Sequence, residues 1–415
     1  MSLAAAAAVA LVAFLAPLAV RLLRLPIPEV VLQIVLGIII GPHVLGWVRP
    51  DEPVHVFAVV GLAFLLFLAG LEIDLAQLRG RLLRLTATAY ALSFGLAVLV
   101  GLAARSVGLV RSPLLVAVIL SATSLGVLVP ILDNSGLLGR PLGHVVVAGA
   151  SLAEVVPVVL VSLLFSMRAG DLRAELVLLG AFLAVVAAAA GAVWGAERSA
   201  RLSRALLQLQ DTTAQVRVRG ALALLLLFAA AASTFGLEAI LGAFLAGVAL
   251  RLLDRDQQMT HTELPRKLRA VGFGVFVPFF FVSTGTAIDV QALVVRPAEL
   301  VKVPLFVLAL LLVRGVPAAL YRPLLPRPRS VASAGLLQAT SISIPVVVGS
   351  IGVDLGLLRT GTYAALVAAG LISVVVFPAL AVALQHSSES PSSRPPESGE
   401  DPGLRGAAKT RALAD

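Results

Sequence analysis

Val145-Val-Val-Ala-Gly-Ala-Ser151-Leu-Ala153-Glu154-Val-Val-Pro157-Val-Val-Leu-Val-Ser-Leu-Leu-Phe165 is a run of 21 residues with a single charge, near its centre. About 20 apolar residues in a row are enough for a helix to cross the hydrocarbon core of a bilayer. A carboxylate half-way along such a helix is costly. Chains retain one mainly where it faces a protein interior or a water-filled path and handles ions or protons there. The structural alternative is a protonated Glu hydrogen-bonded to a neighbouring helix. Ser151 lies three residues before Glu154, which puts both on one helix face. Pro157 deprives the Ala153 carbonyl of its intrahelical donor. A free carbonyl, a hydroxyl and a carboxylate are oxygen ligands of the kind a hard cation takes.

The rest of the chain supports a membrane setting. It has 415 residues, 59% hydrophobic and 13% charged, and a mean hydropathy of +1.01, far above what a soluble core needs. It contains no Cys, so disulfides, thiolate metal sites and cysteine nucleophiles are excluded. The 32 basic residues are scattered between apolar runs rather than gathered into a nucleic-acid-binding patch. Residues 3–20 lack a basic leader, and Arg21 and Arg24 follow them, as in an uncleaved first span. Apolar stretches near 3–23, 28–48, 54–73, 84–108, 111–132, 142–166, 174–195, 217–235, 237–253, 269–288, 299–321, 330–353 and 360–384 predict about 13 transmembrane helices. The fold class is thus all-α and polytopic. Residues 1–385 form the membrane domain, and 386–415, rich in Ser, Pro, Glu and Arg, are expected to be a disordered tail. With the N-terminus outside, 23 basic residues fall on the cytoplasmic side and 8 outside, so the positive-inside rule gives N-out, C-in in a cell membrane.

Two parts of the chain echo each other. Leu36-Gly37 with Gly41 resembles Leu241-Gly242 with Ala246. Gly70-Leu71-Glu72-Ile73-Asp74 resembles Gly285-Thr286-Ala287-Ile288-Asp289, and Ser121-Ala122-Thr123-Ser124 resembles Thr340-Ser341-Ile342-Ser343. Each pair is seven spans apart. Seven is odd, so the copies cross the membrane in opposite directions, the arrangement of alternating-access transporters. Hydroxyl residues beside Gly126, Pro130, Pro345 and Gly349 favour local unwinding in the fifth and twelfth spans. Freed carbonyls there can coordinate a cation where they line a cavity; alternatively the hydroxyls bond back to their own helix.

Arg314 is isolated in the eleventh span. Near Glu154 the two would compensate; otherwise it is a structural clamp. Glu72, Asp74 and Asp289 lie at span ends, where a solvated terminus is the simpler reading, and Glu238 opens the ninth span. The Gly37/Gly41 and Gly242/Ala246 pairs are small-residue packing surfaces. None of the five His has a partner at metal-ligand spacing.

Leu36-Gly37-Ile-Ile-Ile-Gly41-Pro42, Phe67-Leu-Ala-Gly70-Leu71-Glu72, Ser121-Ala-Thr-Ser124, Leu241-Gly242-Ala-Phe244-Leu-Ala-Gly247 and Pro278-Phe-Phe-Phe281-Val-Ser-Thr-Gly285 together resemble the monovalent cation:proton antiporter superfamily, in particular its bacterial Kef-like and NapA-like branch. The resemblance covers roughly residues 3–385. It implies a homodimer whose protomer has a mobile core (about 84–166 and 299–384) and a dimerisation scaffold (about 3–73 and 217–288). Two crossed, broken helices would lie at the centre. The family's ion-binding carboxylate falls on Glu154, its basic residue on Arg314 and its crossing-helix ligands on Thr123 and Ser124, with Ser151 the added oxygen beside Glu154. The family usually has Asp at the acid, preceded by Asp, Asn or Gln; here the pair is Ala153-Glu154.

The expected function is exchange of Na+ or K+ for H+, with no resident cofactor and no enzymatic activity. One carboxylate trading one proton for one monovalent cation makes the exchange electroneutral. The alternatives are a sodium-coupled organic anion symporter of similar fold and a non-transporting membrane sensor, the latter suggested by Ala153.

Overall fold

A computed structural model describes residues 3–23, 27–48, 51–72, 80–164, 215–253, 263–291 and 297–386, with single positions at 180 and 184. The described elements are all helical. The first seven are α1 (Ala4–Leu22), α2 (Glu29–Ile40), α3 (Glu52–Glu72), α4 (Gly80–Ser106), α5 (Pro113–Leu120), α6 (Leu125–Asn134) and α7 (Pro141–Leu164). They are followed by α8 (Val216–Thr234), α9 (Ala239–Leu253), α10 (Glu263–Val271), α11 (Val277–Ala287) and α12 (Pro297–Leu310). The last three are α13 (Pro328–Gln338), α14 (Ser343–Asp354) and α15 (Thr360–His386). Among the described residues, ten helical stretches are long and apolar enough to cross a membrane, counting α5–α6 and α13–α14 as one each, and α2 and α9 are shorter apolar helices. The expected seventh span, Asp74 and the tail lie outside the described residues.

Proline shapes several of these elements. α10 and α11 join through a π-helical turn, Gly272–Phe276, just before Pro278. The eleventh span passes from α12 into a second π-turn, Leu311–Gly315, and then a 3-10 turn, Val316–Tyr321, around Pro317. A proline ring lacks the N–H that the carbonyl four residues earlier would accept, and the widened turn accommodates the gap. Arg314 sits in the second of these turns.

The motif glycines are contact points between helices. A Cβ at Gly37 would strike the Val282 carbonyl, and one at Gly285 the Ile34 carbonyl, so α2 and α11 touch backbone to backbone. Gly70 lies against Phe244 and Gly247 against Phe67 in the same way, joining α3 to α9. The second and ninth spans are repeat partners, as are the third and tenth. The α2–α11 contact is therefore the counterpart of the α9–α3 contact.

The half-helices α6 and α14 also end alike. Gly136 (φ 65) and Gly356 (φ 69) take the left-handed conformation that residues with a Cβ rarely adopt. Leu137 N–H then donates back to Leu132 O at 2.8 Å, and Leu357 N–H to Gly352 O at 2.8 Å. The interior is apolar, with Phe64, Phe67, Phe244 and Phe281 fully buried, while Phe14, Leu99, Leu227 and Leu308 project outward as lipid-facing side chains would.

Candidate functional site

The fifth and twelfth spans are both broken, as expected. α5 is capped by Ser112, whose Oγ accepts from Leu115 N–H at 3.4 Å, and stops at Leu120. Residues 122–124 are not helical, Ser124 is extended, and α6 starts at Leu125. α13 stops at Gln338 and α14 starts at Ser343. Pro345 cannot donate to the Ser341 carbonyl, which is one reason the helix does not run through.

Unwinding inside a membrane leaves backbone groups that must find partners within the protein, and the two breaks satisfy each other. Ser124 N–H donates to Thr340 O at 3.0 Å. Ile342 N–H and Ser343 N–H both donate to Ser124 Oγ, at 2.8 and 3.0 Å. Thr123 Oγ1 donates to Gln338 O. On the outer flanks Thr123 N–H donates to Ala153 O at 3.3 Å and Ser341 N–H to Ser373 Oγ at 3.1 Å. The crossing thus rests on Ala153 of α7 on one side and Ser373 of α15 on the other.

Glu154 follows Ala153 and is 4% exposed. The Leu125 N–H, at the N-terminal end of α6, acts on its carboxyl as a hydrogen-bond donor. The positive end of a helix dipole suits a carboxylate. The other oxygen, Oε2, is buried with no partner. The Ala153 carbonyl, left without an intrahelical donor by Pro157, takes the Thr123 N–H instead of standing free. Ser151 Oγ donates to Val147 O of its own helix at 2.9 Å.

Arg314 is 3% exposed and does not pair with Glu154: among the described residues no ion pair joins them. Its guanidinium is held by neutral groups. Nε donates to Thr123 Oγ1 at 2.9 Å and, more weakly, to Gln338 O at 3.4 Å. Nη1 donates to Ser93 Oγ at 3.2 Å and Nη2 to Gln338 Oε1. The Tyr90 ring lies 5.7 Å beneath. Of the two sequence readings, compensation of Glu154 and a structural clamp, the hydrogen bonds make Arg314 a clamp, on Thr123 of the crossing and on Gln338, the last residue of α13.

Three features were not foreseen. Gln338, 1% exposed, joins Arg314, Thr123 and Tyr321. Glu72 is not a freely solvated terminus: it pairs with Arg269 at 3.2 Å and interacts electrostatically with Glu154. Lys302, near the start of the predicted span 299–321, is 3% exposed and donates to Glu299 at 2.7 Å and to Thr362 at 2.8 Å. Asp289 faces His43 at 3.5 Å, and Glu238 N–H donates to Ser162 Oγ at 3.2 Å.

Comparison with known proteins bears on the family and the fold. The family model "Sodium/hydrogen exchanger, transmembrane" matches residues 10–383. The putative Na(+)/H(+) antiporter YjbQ of Bacillus subtilis is 28% identical over 406 residues, which cover 94% of this chain and 64% of that protein. The chain thus spans about two thirds of that relative's length. A Na(+)/H(+) antiporter of Enterococcus hirae is 27% identical over 86% of this chain and 91% of its own. The solved structure of the sodium proton antiporter MjNhaP1 from Methanocaldococcus jannaschii superposes with a TM-score of 0.60, covering 92% of this chain and 96% of that one. At 17% identity that likeness concerns the fold. With its crossed broken helices and a family match from residue 10 to 383, the chain is a multi-pass membrane protein that belongs to the transmembrane sodium/hydrogen exchanger family.

Proposed function

We propose that the protein exchanges Na+ for H+ across a membrane by alternating access, with Glu154 carrying the two in turn. The observation that supports this reading best is the buried, unpartnered Oε2 of Glu154 beside the crossing, with Arg314 engaged elsewhere. An acid locked in an ion pair would have to be released before it could trade ligands; this one is open. H+ and Na+ compete for the same oxygens, so each expels the other.

Thr123 and Ser124 act mainly through the crossing. Ser124 Oγ already accepts two N–H groups, and Thr123 Oγ1 accepts from Arg314. Thr123 and Ser151 remain candidate oxygen ligands through their free lone pairs. Arg314 keeps its charge through the cycle because guanidinium does not deprotonate in proteins. Glu72 has its own counter-ion in Arg269, which leaves Glu154 as the exchangeable acid at the crossing among the described residues and makes the exchange one for one. The moving core comprises residues of about 84–166 and 299–384. It works against a scaffold of about 3–73 and 217–288 through which two copies pair, with the N-terminus outside.

Proton flux in everted membrane vesicles on addition of Na+, K+ or Li+ tests the reading. Wild type should respond to Na+ and Glu154→Gln should not, at equal membrane abundance. Exchange near wild-type rates in Glu154→Gln would reject the site, and a wild type silent to all three cations would favour a sensor.

A further inference from the structure

Gln338 sits where four elements meet. Its backbone carbonyl accepts from Thr123 Oγ1, its side-chain Oε1 accepts from Arg314 Nη2, and its Nε2 donates to the Tyr321 hydroxyl at 3.4 Å. Guanidinium only donates, so the amide oxygen must face Arg314 and the NH2 must face away. The NH2 fills a notch in α7 at Gly149: a Cβ there would run into Nε2, with Gln338 Cδ and Tyr321 Oη both at 2.9 Å. Gly149 precedes Glu154 by five residues on the same helix, a rise of about 7.5 Å. The amide that grips Arg314 is thus seated on the same helix as Glu154, whose Oε2 has no partner. Arg314 Nε donates to Thr123 Oγ1 at 2.9 Å, and Thr123 N–H donates to Ala153 O at 3.3 Å, so the guanidinium and the open carboxyl lie on either side of one residue. A buried charge without a partner is costly, so an Arg freed from its acceptors would turn to Glu154.

We propose that Gln338 is a positioning residue for the exchange: it holds the Arg314 guanidinium on neutral acceptors, away from Glu154, and so keeps Glu154 open to the cation. This rests on the reading that Glu154 binds the exchanged ion. It assigns to an uncharged residue the task of preventing an internal cation from competing with the transported one. A carboxylate at 338 would hold Arg314 equally well. An apolar residue would release it.

The test is the Na+ dependence of exchange in proteoliposomes for wild type, Gln338→Leu, Gln338→Glu and the double variant Gln338→Leu/Arg314→Gln. In Gln338→Leu the released guanidinium pairs with Glu154, and the apparent KM for Na+ should rise by roughly tenfold or more. Gln338→Glu should keep its KM at or below wild type. Removing the charge in the double variant should bring KM back towards wild type, which a purely structural defect would not allow. Unchanged KM in Gln338→Leu, or a raised KM that Arg314→Gln does not relieve, overturns the proposal. If Gln338→Leu is not recovered folded, Gly149→Ala serves instead. It pushes the amide off Arg314 and should raise KM, whereas an unchanged KM counts against the proposal. A wild type that shows no Na+/H+ exchange rejects the functional reading itself, a separate outcome.

Discussion

Ser124 shows how much one small side chain does in the crossing. Its Oγ is the acceptor for two N–H groups at the start of α14, those of the cap residue Ile342 and of Ser343. Ser124→Ala leaves both buried without a partner, at a cost of about 1–3 kcal/mol for such a group. Thermal unfolding in detergent should show the loss, and a melting temperature equal to wild type would mean that the donors have other acceptors. Glu154 and Arg314 were legible in the sequence because a charge in an apolar run stands out. Their relationship was not. The groups that hold Arg314 are uncharged, and a lone Gln, Ser or Tyr in a membrane span is as consistent with packing as with a site. Thr123 and Gln338 are 215 positions apart in the chain, and only the crossing brings them together. The signals that could have pointed to them are slight: an amide just before Thr340-Ser341, Tyr90 and Ser93 one turn apart, and a glycine in the helix of Glu154.

At the scale of elements, the repeat was readable from three short matches, and the structure adds the matching caps at Gly136 and Gly356 and the exchange of α2–α11 and α3–α9 contacts. The π-turns were not readable, because Pro278 and Pro317 announce a disturbance without saying how the helix absorbs it. The helix contacts make a prediction of their own. A Cβ at Gly285 would lie 2.9 Å from both Gly37 Cα and Ile38 N, with no flexible side chain to yield. Gly285→Ala should therefore destabilise the protein by about 1–3 kcal/mol, the range for overpacking, and lower its melting temperature in detergent. The Glu299–Lys302–Thr362 cluster ties α12 to α15. Lys302→Met strands a buried carboxylate, which costs about 3–5 kcal/mol where a buried pair loses one partner. The double variant Glu299→Gln/Lys302→Met should recover much of that loss, and equal melting temperatures for the single and double variants would argue against a coupled pair.

At the scale of the whole molecule, the proposed function uses Glu154 as the exchangeable acid and Arg314 as a permanent cation, with the crossing between them. Where many members of the superfamily are expected to carry a second polar group, this chain has Ala153, whose carbonyl carries the Thr123 N–H. Glu72 has Arg269 for company, and Arg314 cannot return a proton. On the proposed function, the site carries the same charge whether it holds H+ or Na+, and a full cycle moves none. Purified protein in liposomes, with K+ and valinomycin imposing a series of membrane potentials at fixed Na+ and H+ gradients, tests this most directly. The account predicts a Na+ flux whose direction and equilibrium point do not depend on the potential. An equilibrium point that shifts with potential as two protons per Na+ would require contradicts it.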